Sequence, residues 1–66
     1  MLAKQADNLN KGDKVITKNG IYQQNSFVIC VEKDRRNVRW IYFYWINSKG
    51  ERVDRYKRAN SVYLPK

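Results

Sequence analysis

Hydrophobic and polar positions alternate along much of this chain, most strongly at Val38-Arg39-Trp40-Ile41-Tyr42-Phe43-Tyr44-Trp45-Ile46, where eight of nine side chains are aromatic or β-branched. Such side chains suit a pleated surface, so the run predicts a strand. Alternation then puts Val38, Trp40, Tyr42, Tyr44 and Ile46 on one face and Arg39, Ile41, Phe43 and Trp45 on the other. Most of Phe27, Trp40, Tyr42, Tyr44 and Tyr63 are expected to fill the core, since little else in the chain can. The row of Ile41, Phe43 and Trp45 is ambiguous, because strongly bent strands of small barrels bury residues of both parities. If exposed, it would be covered by a terminal segment or used by a partner.

The remaining pattern supplies four shorter strands. Residues 1–10 form an N-terminal arm, either a frayed helical turn through Leu2, Ala3, Ala6 and Leu9 or a loose segment. A turn at 10–13 leads into a strand at 14–18, which ends at Asn19-Gly20. Residues 21–25 read as a polar connection and 26–32 as a second strand, followed by a turn at 34–37. After the aromatic strand, 47–50 is a hairpin loop with Gly50 at its end, and 51–56 alternates as a fourth strand. Residues 57–60 predict a single helical or 3₁₀ turn, and 61–64 a short fifth strand before Pro65. No stretch carries the apolar stripe of a packed helix. The expected fold is therefore all-β: a small five-stranded SH3-like barrel over residues 11–66, with a one-turn 3₁₀ helix before its last strand and both sheet edges hidden by closure. An oligonucleotide-binding barrel would carry a helix between its third and fourth strands, and 47–50 is too short to hold one.

Composition narrows the function. Sixty-six residues bound a single domain with a marginal core. One cysteine allows no internal disulfide, and without histidine or an acidic cluster no metal site or other cofactor is expected. Cys30, mid-strand, reads as a small buried hydrophobe in a reducing compartment. The first ten residues lack the apolar segment of a secretory signal, and the longest apolar run, 40–46, is too short to span a bilayer. A cytoplasmic, nucleoid- or nucleus-associated protein is expected, with no membrane partner. Acidic residues are scattered over separate turns and there is no Gly-rich phosphate loop, so catalysis is not expected.

The stretch Gly12-Asp13-Lys14-Val15 resembles the Gly-Asp-x-Val opening strand of SH3-like small barrels of the KOW, Tudor and chromo-barrel type. The resemblance continues through Tyr42-Phe43-Tyr44, Asp54-Arg55-Tyr56 and Asn60-Ser61-Val62, and spans about residues 11–64. It implies the barrel fold. Chromo-barrel readers of methylated lysine have a Trp-rich, acidic segment after the third strand, whereas residues 51–58 here are predominantly basic, which works against an ammonium cage. The glycine that the KOW pattern places before its second strand is replaced here by Asn25-Ser26.

A formal charge of +8 points to an acidic partner. The basic residues concentrate at Lys33, Arg35, Arg36 and Arg39 and at Lys49, Arg52, Arg55, Lys57 and Arg58. If Arg39 lies opposite the end of the fourth strand near Arg55 to Lys57, the two clusters form one phosphate-binding surface, with Phe43, Trp45 or Tyr56 available to stack bases. The expected function is a non-enzymatic nucleic-acid-binding module of low sequence specificity, DNA or RNA, since no recognition helix is present to read bases. The alternative is a protein-interaction module, such as a small phage-type effector docking on a host protein through the aromatic face. The plainest alternative is a solvated charged rim.

Overall fold

The computed structural model describes residues 1–65; Lys66, the last residue of the expected domain, lies outside them. The chain order is α1 (Ala3–Asp7), β1 (Lys14–Asn19), β2 (Tyr22–Lys33), β3 (Arg39–Ile46), β4 (Arg52–Arg58), a 3₁₀ turn (Ala59–Ser61) and β5 (Val62–Tyr63). All strand pairs are antiparallel, in one five-stranded sheet of order β4-β3-β2-β1-β5. No helix among the described residues is long and apolar enough to cross a membrane.

Two local features depart from the sequence reading. Residues 22–25, expected to be a connection, extend β2 to twelve residues. Gly20, at φ 63°, leads a two-residue loop with Ile21 so tight that pairing resumes at once between Asn19 and Tyr22. Polar Gln23 and Asn25 sit in the strand because they lie exposed at its open end. Further along β2, the register slips between Val28, which faces Phe43, and Cys30, which faces Tyr42. This bulge inserts one residue and reverses the alternation. Cys30 is therefore exposed, not buried as expected, and Val31 takes the inward position.

The core holds Ala6, Val15, Val28, Ile41, Phe43, Ala59 and Val62, with Met1, Leu9, Val31 and Trp45 packed against it. Thr17 and Ser26 are buried there too, their hydroxyls hydrogen-bonded at 2.9 Å. The faces of β3 are thus inverted relative to expectation: Ile41 and Phe43 point inward, and Trp40, Tyr42 and Tyr44 lie half-buried on the outer face. Phe27 is half-buried on that outer face beside Tyr44, and Tyr63 is exposed. The physical reason is room and polarity. The concave side is lined by small residues, and Ile41 and Phe43 are pure hydrocarbon, whereas each outer ring of β3 carries a polar atom that needs water or a partner.

α1 caps the concave side. Ala6 is fully buried, and the Met1 amino nitrogen donates to the carbonyl oxygens of Ala59 and Val62 at 2.8 and 2.6 Å. The expected closed barrel is not formed. β4 and β5 are the two ends of an open sheet, which curls until the Lys57 ammonium on β4 donates to the Lys18 carbonyl on β1 at 2.8 Å. A side-chain clasp stands where a strand ladder would close a barrel.

Candidate nucleic-acid interface

The register fixes what the outer face displays. On β3 and β4 the cross-strand pairs are Trp40 with Arg58, Tyr42 with Tyr56 and Tyr44 with Asp54, all on one side of the sheet. On β2 the same face adds Phe27 beside Tyr44, Cys30 beside Tyr42 and Glu32 beside Trp40. The rings gather into two groups. Phe27 and Tyr44 lie with centroids 5.5 Å apart, and Tyr56 stands 5.4 Å from Tyr42 and 5.7 Å from Trp40, edge-on to the indole.

Each end of this row carries an arginine. Arg52 holds its guanidinium 4.2 Å from the Tyr44 centroid, and Arg58 lies 5.4 Å from the Trp40 ring. Attraction between a cation and an aromatic face at an exposed site is worth about 0.5–1 kcal/mol, enough to bias these side chains without fixing them. Arg52 also pairs with Asp54 at 2.7 Å, the only opposite charge directly on it among the described residues.

Asp34 organises the Trp40 end. Its Oδ1 accepts from the Arg36 and Val38 amides at 2.8 and 3.0 Å, which shapes the turn, and its Oδ2 accepts from the indole Nε1 of Trp40 at 3.0 Å. The indole hydrogen bond, followed by the Val38 and Arg36 amides, holds the Asp34 carboxyl below its ordinary range against the opposing effect of desolvation. Asn37, at φ 62°, completes the turn in the left-handed region that asparagine tolerates. Glu32, Lys33, Asp34, Trp40, Tyr42 and Tyr56 line a hollow of about 450 Å³.

The basic residues named from the sequence divide into three groups. Arg52 and Arg58 are on the outer aromatic face; Lys49 lies in the β3–β4 loop near Arg52, Arg35 and Arg36 lie in the turn beyond β2 that leads to Trp40, and Lys33, at the end of β2, shares the face of Arg39. Arg39 is not part of a continuous surface. It pairs with Lys33 in the register, points to the opposite face from Arg58, and makes a two-pronged ion pair with Asp7 of α1 at 3.1 and 3.2 Å. Lys57 serves as the clasp to β1, and Arg55 sits at the inner mouth, 5.7 Å from the Trp45 ring. Of the proposed stacking residues, Phe43 is 1% exposed and cannot meet a ligand without unfolding. Trp45 packs on the core, 6.1 Å from the Phe43 ring, and Tyr56, 60% exposed, is on the outer face.

Trp40, Tyr42, Tyr44, Phe27 and Asp34 were not among the sequence candidates. One signal could have found the first three: Trp40 and both tyrosines of β3 share one parity, while Ile41 and Phe43, its wholly hydrocarbon members before Ile46, share the other with Trp45. Arg39 at the start of the second row masked it, because an ion pair at a strand end lets a charge sit on the inward parity. Comparison of the chain with protein-family models, with curated proteins and with solved structures gives no match in any of the three.

Proposed function

We propose that the chain is a non-enzymatic nucleic-acid-binding module of low sequence specificity, built as an open SH3-like barrel. The strand order and the 3₁₀ turn between β4 and β5 support that architecture. The observation that carries the function is the outer face itself: Trp40, Tyr42, Tyr44 and Tyr56 exposed or half-buried in one patch, with Arg52 and Arg58 at its ends. Rings of this kind offer π-faces to any base, and arginine and lysine at the ends meet phosphates, in a molecule of formal charge +8.

The test is fluorescence anisotropy with labelled DNA and RNA at about 50 and 200 mM salt. If about four phosphates are engaged, that fourfold rise in salt weakens binding on the order of fifty-fold or more. Arg52→Ala with Arg58→Ala flattens the salt dependence. Absence of binding to every nucleic acid at the lower salt overturns the reading and points to a protein partner on the same face, whose binding would vary little with salt.

A further inference from the structure

We infer that the preferred ligand is an extended, unstacked single strand that lies along β3 and sets one base at each of three aromatic positions. This rests on the nucleic-acid reading above and narrows it. The three positions are Tyr44, Tyr42 with its cross-strand neighbour Tyr56, and Trp40, which follow one another at every second residue of β3.

The spacing carries the argument. Alternate residues of a strand are about 6.4–6.8 Å apart. A duplex steps about 3.4 Å per nucleotide along each strand, half that interval, and keeps its bases stacked inside. A polynucleotide that matches the ring interval must therefore be pulled out of its stack, a state open to a single strand and closed to an intact duplex. The three β3 rings are half-buried in the sheet and do not project from it as wedges, so they form a platform and are poorly shaped to prise base pairs apart.

The end cations fit the same ligand. Arg52 covers Tyr44 and Arg58 covers Trp40 in the free protein. A base arriving on Trp40 displaces the Arg58 guanidinium toward the phosphate beside that base, exchanging a weak contact with the ring for a charge-assisted one, whereas at Tyr44 the Arg52 guanidinium stays anchored to Asp54 at 2.7 Å as it turns toward its phosphate. Tyr42 and Tyr56, between the two arginines, have no cation of their own over their faces among the described residues. The central base would thus be held by stacking alone and the outer two by stacking and charge.

The experiment uses fluorescein-labelled oligothymidylates of about two to twelve nucleotides, beside a hairpin duplex of comparable length, titrated by anisotropy at about 50 mM salt. Expected are preference for the single strand over the duplex, affinity that climbs steeply up to about three or four nucleotides and gently beyond, and quenching of tryptophan emission. Tyr56→Ala, on an exposed edge-strand residue, weakens single-strand binding about 5- to 150-fold, the range for loss of one stacked base. Tyr22→Ala, at the exposed β1–β2 hairpin end away from the row, leaves it unchanged. Equal or tighter binding to the duplex, with Tyr56→Ala without effect, overturns the single-strand inference and leaves the nucleic-acid reading standing. Failure to bind either form overturns both.

Discussion

The Asp34 carboxylate couples backbone to ring: one oxygen shapes the β2–β3 turn and the other sets the Trp40 indole. Substituting it separates the two roles. Asp34→Asn retains an acceptor for the Arg36 and Val38 amides but turns a donor toward the indole, so the turn should persist while Trp40 reorients, read as a change in near-ultraviolet circular dichroism with the far-ultraviolet spectrum intact. Acid should act similarly. A carboxyl whose pKa is depressed in the fold contributes its stabilisation above the ordinary aspartate pKa of 3.8 and loses it as pH falls through the depressed value. Tryptophan emission should accordingly stay constant from neutrality to about pH 4 and shift only below it. Glu32 lies beside Trp40 and makes no ion pair among the described residues. Glu32→Gln removes one repulsion from an approaching phosphate, so affinity for nucleic acid should rise a few-fold at low salt and the gain should fade as salt is added. Asp34 was visible in the sequence as a turn residue, but its link to an indole six positions on was not.

Strand by strand, the fold was largely legible. The sheet follows from five alternating or β-branched runs, and their limits fall close to those read from residue type, with β2 the exception. What the pattern could not decide was which face of β3 turns inward. That depends on the volume enclosed when the sheet curls and on a one-residue bulge, both properties of strands in combination. The consequence is testable at Phe43, a candidate for stacking on sequence and a core residue in the fold. Phe43→Ala should cost about 3–5 kcal/mol, a large part of the 5–15 kcal/mol typical of a domain, whereas Tyr56→Ala should barely move the urea midpoint. Arg39 changes role in the same way. Its guanidinium, with the side chain 20% exposed, is the largest influence holding the Asp7 carboxyl below its ordinary range. Arg39→Ala should therefore release α1, seen as faster tryptic cleavage after Lys4, while nucleic-acid affinity changes much less than for Arg58→Ala.

For the whole molecule, excess positive charge was plain in the sequence, but its division into outward-facing, clasping and helix-pinning groups was not, because each assignment depends on contacts between residues far apart in the chain. The open edge at β4 is instructive. Arg52, Arg55, Lys57 and Arg58 line a strand with one unpaired side, and a second copy approaching that edge would meet like charges. High salt should therefore have two opposite effects, weakening attachment to nucleic acid while easing self-association, which sedimentation velocity across a salt series would separate. The bulge in β2 bears on how such binding could be watched. By turning Cys30 outward next to Tyr42, it leaves the chain's sole thiol in the middle of the aromatic row. An occupant of that row should slow alkylation of this sulfur, so the unaltered protein carries its own footprinting probe. A bulky adduct there should in turn act as a plug, fitted without changing a single amino acid.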